Sequence, residues 1–313
     1  MKILLFLGGG LGIFLLGMQL LSAPLQSMAG TRLQAHLSNA ARHPIQGLLS
    51  GAVATAILQS SSTLTVFLVG LTGAGTLSLN AAAVLLMGAN VGTTLSPWLL
   101  GTLGLSQTPL LRPEYLLPAL LALSLLLFLR NRKLGQELLG LILLLLGMTL
   151  MQHAAVYLPR LSSLSATPLH PLRGVLAGTV VTAILQSSAG AVGMLQALSE
   201  QLSLSSVIPL LIGLNLGTCV TALLASLGSG PNARRVAVIH ISFNALGGLI
   251  WLTAMQIFPL RHTLCQPASP VSVAALHSLF NLSTTIILLP LRNYLVRLAV
   301  ILVPEKPLHI PGH

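Results

Sequence analysis

Two short polar runs carry the chemistry of this chain: Gln59-Ser60-Ser61-Ser62 and Gln186-Ser187-Ser188, each set inside a strongly apolar stretch. An amide and several hydroxyls offer N–H and O–H donors to an anion. The same hydroxyls, with unwound backbone carbonyls, can turn lone pairs toward a hard cation such as Na⁺. A broken helix at such a run adds free backbone N–H groups and a positive dipole end, which again suits an anion. Serine and glycine also serve as packing residues in apolar helices. A lone serine would need no other explanation. A Gln-Ser-Ser run kept twice does, because burying unpaired polar groups costs roughly 2–7 kcal/mol each.

The second run is a copy of the first. Thr55-Ala-Ile-Leu-Gln-Ser-Ser61 recurs as Thr182-Ala-Ile-Leu-Gln-Ser-Ser188, and Gly51 and Gly178 precede the two copies by the same distance. Gly88-Ala-Asn90-Val-Gly92-Thr93 recurs as Gly213-Leu-Asn215-Leu-Gly217-Thr218, and Leu16-Gly17-Met18 as Leu146-Gly147-Met148. Three matches in one order at nearly one offset mean a duplicated unit. Asn90, Thr93, Thr94, Asn215, Thr218 and Thr221 supply further oxygen ligands. Their flanking glycines let the backbone open or approach closely. The copies differ at one point: Ala189 stands where the first run has Ser62, so the two tips need not bind the same ligands.

Composition sets the surroundings. Of 313 residues, 54% are hydrophobic and 6% charged, against about 25% charged in an average soluble domain. Such a chain cannot cover a water-facing surface, so it is expected to be an integral membrane protein. The net charge of +11 comes from basic residues scattered between apolar runs. It reads as membrane orientation and not as nucleic-acid binding. Lys2 and the apolar run after it resemble a leader, but that run has a later counterpart and is expected to stay.

The four carboxylates, Glu114, Glu137, Glu200 and Glu305, fall at span ends or in loops. That argues against a buried proton relay or an acid-base enzyme. No base stands near the serines in sequence, so neither enzymatic activity nor a cofactor is expected. Cys219 and Cys265 form no paired pattern. His240…Phe243-Asn244 and His277…Phe280-Asn281 put His and Asn one turn apart on a helix face, which predicts an interhelical hydrogen bond near a helix end, with a substrate or pathway role as the alternative. The Gly8-Gly9-Gly10-Leu-Gly12 run opens no βα unit and reads as a helix-packing face.

Each unit then reads as an apolar span (Ile3–Leu21, Glu137–Met151) and a segment interrupted by Gln-Ser-Ser (Ala52–Leu71, Val175–Leu195). A span holding Gly-x-Asn-x-Gly-Thr (Ala81–Leu100, Val207–Leu227) and a last span (Tyr115–Leu129, Val236–Phe258) follow, and Val271–Leu289 closes the chain. A crossing needs about 20 apolar residues. The arms beside each polar run are near half that or slightly more, so a re-entrant hairpin with its tip at Gln-Ser-Ser fits better. Three crossings and one hairpin give odd parity, and tandem copies are then inverted.

With the N-terminus outside, the inner side receives Arg32, Arg42, Arg130, Arg132, Lys133, Arg234, Arg235, Arg292, Arg297 and Lys306. The outer side receives Lys2, Arg112, Arg160, Arg173 and Arg261. This excess puts the C-terminus in the cytoplasm. The expected fold is an all-α polytopic membrane protein with two inverted-topology repeats, residues 1–133 and 134–260. A final transmembrane helix and short tail, 261–313, complete it.

On these motifs, with Gly17-Met18, Ala233-Arg-Arg235 and Pro290, the sequence resembles the Na⁺/phosphate cotransporter family, the bacterial relatives of the type II sodium-phosphate cotransporters. The resemblance runs from Leu11 to about Pro290. It implies a secondary active transporter that couples Na⁺ to inorganic phosphate by alternating access in the cell inner membrane. A passive phosphate channel or facilitator is the alternative. Phosphate ligands would be Gln59, Ser60, Ser61, Ser62, Gln186, Ser187, Ser188, Asn90 and Asn215. Na⁺ ligands would be Thr55, Ser61, Thr63, Thr93, Thr94, Thr182, Ser188, Thr218 and Thr221. Partners are phosphate, Na⁺ and membrane lipid, and a homodimer is one compatible assembly.

Overall fold

Long apolar runs with few charges form helices when no water competes for the backbone. In the structure, a computed structural model describing residues 2–28, 37, 39–41, 43–103, 113–157, 170–257 and 265–305, the regular elements are helical, apart from one isolated bridge between Ser203 and Pro267. In chain order the α-helices are α1 (Lys2–Met28), α2 (Pro44–Leu58), α3 (Ser61–Gly73), α4 (Leu79–Gly92), α5 (Leu95–Leu103), α6 (Pro113–Arg130) and α7 (Arg132–Tyr157). The second stretch holds α8 (Pro171–Leu185), α9 (Ser188–Leu198), α10 (Leu204–Ser226), α11 (Pro231–Ile257), α12 (Pro270–Leu288) and α13 (Arg292–Leu302). Pro44 and Pro171 open α2 and α8, where a missing N–H costs nothing.

Five stretches among the described residues are long and apolar enough to cross a membrane: Leu79–Thr102, Arg132–His153, Leu204–Ser226, Pro231–Ile257 and Pro270–Leu288. The broken helices are shorter. α2 and α8 have 15 residues each, α3 has 13 and α9 has 11. At about 1.5 Å per residue none reaches the roughly 30 Å of a hydrocarbon core. Their outer faces are apolar at matching positions: Ile45, Leu49, Val53 and Ile57 on α2, and Leu172, Leu176, Val180 and Ile184 on α8, are all exposed. Stripes of this kind need lipid or protein to cover them.

Glycines decide how closely the broken helices seat. α2 packs on α4, and α8 packs on α10. A Cβ at Gly51 would collide with the Leu85 carbonyl, at Gly88 with that of Leu48, and at Gly92 with that of Ala52. The second copy repeats this: Gly178 faces the Leu210 carbonyl, Gly213 that of Val175 and Gly217 that of Thr179. Close approach is thus the use made of these glycines, and both helices run unbroken through their Gly-x-Asn-x-Gly segments. On α1, Gly10 and Gly17 meet the backbone of α7 at Gly147 and Gly140, while Gly8, Gly9 and Gly12 face no atom of the described residues within 4 Å. The packing face expected of that glycine run narrows to Gly10.

One pairing of spans comes out differently from the sequence order. α6 packs chiefly on α7, with Ser124 Oγ donating to the Gly135 carbonyl at 2.9 Å. α11, set beside α6 by order alone, packs on α3, α4, α10 and α13. The helix whose surroundings match those of α11 is α12. Phe243 of α11 packs with Met87 and Leu48, and Phe280 of α12 packs with Ile212 and Val175, which are the same positions in the two copies. The shared His-x-x-Phe-Asn face explains the match, since the leucine-rich α6 has no such face.

Candidate functional site

Helix α2 ends because Gln59 turns left-handed, with φ 52° and ψ 23°. α8 ends the same way at Gln186, with φ 49° and ψ 24°. Among the described residues these are the non-glycine positions with positive φ. The conformation costs a side-chain-bearing residue on the order of 1–2 kcal/mol, and glycine would adopt it freely. Strain retained twice at a glutamine is a mark of function. The next residue of each copy is extended and caps the following helix. Ser60 Oγ accepts from the Thr63 N–H, and Ser187 Oγ from the Gly190 N–H, both at 3.1 Å.

The two breaks meet. Ser61 Oγ and Ser188 Oγ lie 3.4 Å apart, and Ser62 Oγ donates to the Gln186 carbonyl at 3.5 Å. A cavity of about 280 Å³ opens there, lined by Gln59, Ser60, Ser62 and Thr63 on one side and by Gln186, Ser187, Ser188 and Ala189 on the other. Leu15, Met18 and Gln19 of α1 close it. Among the described residues no charged side chain lines it. Its polarity comes from hydroxyls, amides and the N-termini of α3 and α9, an arrangement that favours an anion.

The glutamines differ in their partners. Gln59 Nε2 donates to the Ala56 carbonyl at 2.7 Å, and its Oε1 accepts from Ser96 Oγ at 2.6 Å. Gln186 is exposed at the cavity.

The threonines lie behind the breaks. Thr55 and Thr182 are buried against Gly92 and Gly217, and neither hydroxyl has a hydrogen-bond partner. Thr221 Oγ1 is likewise buried and unpartnered. Thr93 donates to the Asn90 carbonyl at 2.6 Å, Thr94 to that of Val91 at 2.8 Å and Thr218 to that of Asn215 at 2.6 Å. These bonds use the hydroxyl protons and leave oxygen lone pairs. Among the described residues no group of three His, Cys, Asp or Glu could hold a metal ion, so any cation here meets neutral oxygens.

Asn90 and Asn215 are not brought to the cavity. Asn90 Nδ2 donates to Asn244 Oδ1 at 3.2 Å, and Asn215 Nδ2 to the Leu211 carbonyl at 2.9 Å. The histidines do not make the expected bond either. Both ring nitrogens of His240 and Nδ1 of His277 are buried without a partner. The asparagines act instead: at i, i+4 the short amide reaches the carbonyl one turn back, Asn244 to His240 at 3.1 Å and Asn281 to His277 at 2.9 Å. Asn244 also donates to Cys219 Sγ at 3.4 Å, so it links α4, α10 and α11.

Sequence reading passed over Ser96, Gln19 and Gln196. Ser96 could have been found by extending the repeat three residues past Thr93 and Thr218, where it aligns with Thr221. Gln196 is a buried clamp of α9, donating to the Pro97 and Pro270 carbonyls at 2.8 and 2.9 Å. No residue-type pattern announces it.

Helices broken at paired polar tips over one cavity, in an apolar helical scaffold, define an integral membrane protein of the transporter class. The chain matches the family described as Na⁺/Pi-cotransporter over residues 13–153 and 160–263, and it belongs to that family. It is 31% identical to "Uncharacterized protein YqeW" of Bacillus subtilis (strain 168), over 94% of this chain and 96% of that one. It is 26% identical to "Putative inorganic phosphate export protein YjbB" of Escherichia coli (strain K12), over 98% of this chain and 57% of that protein. The chain thus spans little more than half of YjbB. A segment covering 30% of it is 34% identical to 14% of human "Sodium-dependent phosphate transport protein 2B". No solved structure matches the chain.

Proposed function

We propose that the chain moves inorganic phosphate across the cell inner membrane, coupled to Na⁺, by alternating access. The observation that carries this reading is the contact of Ser61 with Ser188 beside the cavity, which brings two strained helix breaks and two helix N-termini to one point. Phosphate binds between the tips, accepting from the hydroxyls of Ser60, Ser61, Ser62, Ser187 and Ser188 and from the amides of Gln59 and Gln186. Na⁺ binds behind each tip, where the unpartnered oxygens of Thr55 and Thr182 and the lone pairs of Thr93, Thr94 and Thr218 supply a hard, neutral ligand set. Ser61, Thr63, Ser188 and Thr221 complete the Na⁺ ligands. Asn90 and Asn215 act one layer back, holding the helices that carry these threonines.

The tips are re-entrant hairpins of two inverted repeats. The short lengths of α2, α3, α8 and α9 support this, as do the matched surroundings of Phe243 and Phe280. The N-terminus is outside and the C-terminus cytoplasmic. The family membership and the relatives' names support phosphate as the cargo.

The test is uptake of labelled phosphate by proteoliposomes holding the purified chain. An imposed Na⁺ gradient should drive saturable uptake. Uptake unchanged when choline replaces Na⁺ rules out the coupling, and flux that never saturates with phosphate indicates a passive channel.

A further inference from the structure

The two copies carry the same polar positions, yet one copy has them bonded and the other does not. Ser96 and Thr221 are equivalent, each three residues past the threonine of its Gly-x-Asn-x-Gly-Thr run. Ser96 Oγ donates to Gln59 Oε1 at 2.6 Å, whereas Thr221 Oγ1 is buried with no partner and Gln186 stands exposed at the cavity. The same contrast appears at a second layer. Asn90 bonds Asn244 at 3.2 Å, but Asn215 turns back onto the Leu211 carbonyl and Asn281 Oδ1 is left buried and unpartnered. Asn281 follows Phe280, which packs with Ile212 and Val175 just as Phe243 packs with Met87 and Leu48. Asn281 therefore faces α10 as Asn244 faces α4.

Buried oxygens without partners are uncommon and call for a cause. Two of them, each equivalent to a bonded group in the other half, share one cause if their partners are reached in another arrangement of the chain. We infer that Ser96, Thr221, Asn244 and Asn281 are positioning residues that exchange partners between two facing states. In the state described, Gln59–Ser96 and Asn90–Asn244 are closed. In the opposite state these open, and Gln186–Thr221 and Asn215–Asn281 close. Trading two bonds for two equivalent bonds keeps the states close in free energy, which a reversible two-state carrier requires. The inference rests on the alternating-access reading and names the contacts that carry it.

The test reads facing and not flux. Ala189, at the cavity, is replaced by cysteine in a Cys265→Ser background; Cys219 is buried and stays. In proteoliposomes free of Na⁺ and phosphate, so that no ion ligand is at stake, a membrane-impermeant thiol reagent added from either side gives a labelling-rate ratio. Ser96→Ala removes a bond of the described state alone, and Thr221→Val removes one of the opposite state alone. The ratio should move about fivefold in opposite directions, the size expected for one net hydrogen bond. Asn281→Leu should move it the same way as Thr221→Val, and this pair carries the test should Ser96→Ala fail to fold. Shifts of one sign in Ser96→Ala and Thr221→Val, opposed shifts in Thr221→Val and Asn281→Leu, or no shift, overturn the exchange. Absence of Na⁺-driven phosphate uptake by the unsubstituted protein would instead overturn the transport reading, since labelling needs no flux.

Discussion

Gln59 and Gln186 share one backbone conformation, φ 52° and 49°, at equivalent breaks that face each other across the cavity. Each end of a broken helix is held by strain that glycine would relieve. Gln186→Gly should therefore melt no lower than the parent protein, and up to about 1 kcal/mol of stability should be regained. Phosphate uptake should fall at least tenfold, because the amide that lines the cavity is gone. Tryptophan-fluorescence melting in detergent, using Trp98 and Trp251, and proteoliposome uptake measure the two sides. A variant that melts far lower would mean that the glutamine side chain holds the fold.

Removing a cavity hydroxyl should hurt binding more than folding. Ser188→Ala deletes a donor to an anionic ligand, a contact worth about 1.5–3 kcal/mol. The apparent phosphate affinity should drop roughly 10- to 100-fold at fixed Na⁺. The partner left behind, Ser61 Oγ, is buried and loses its 3.4 Å neighbour, so stability should fall by about 1 kcal/mol, less than the loss in binding. Binding isotherms and melts on one preparation separate the effects.

Thr55→Val and Thr182→Val replace unpartnered buried hydroxyls by methyls of the same shape. With no hydrogen bond to lose, stability should hold or rise. If these oxygens bind Na⁺, the Na⁺ concentration for half-maximal uptake should rise about tenfold while saturating Na⁺ restores the phosphate affinity. Wild-type Na⁺ dependence in both variants would remove these threonines from the cation sites.

Glycine contacts between α2 and α4, and between α8 and α10, should be intolerant of any side chain. Gly88→Val and Gly213→Val force a Cβ into the Leu48 and Val175 carbonyls. Overpacking of this kind costs about 1–3 kcal/mol or more where backbone must move. Gly9→Ala meets no atom of the described residues within 4 Å and should be neutral or stabilising by up to about 1 kcal/mol, as alanine is the better helix former. Size-exclusion profiles and melting temperatures should separate the first two from the third.

The sequence alone was enough for the duplication, the membrane class, the polar tips and the family, because these depend on residue order and on apolar run length. Gln-Ser-Ser marks where each helix stops, since a polar run inside an apolar stretch is visible without coordinates. Tertiary structure decided which residues meet. Ser61 lies against Ser188, α11 and not α6 shares the surroundings of α12, and Asn90 turns to Asn244 instead of the cavity. It also showed that equivalent positions are bonded in one copy and empty-handed in the other, as at Ser96 and Thr221. Local pattern carries no such information: identical motifs predict identical local structure, whereas partners are set by how helices far apart in the chain pack. That packing turns on close backbone approach at glycines such as Gly92 and Gly217, whose role appears only when the opposing carbonyl is in view.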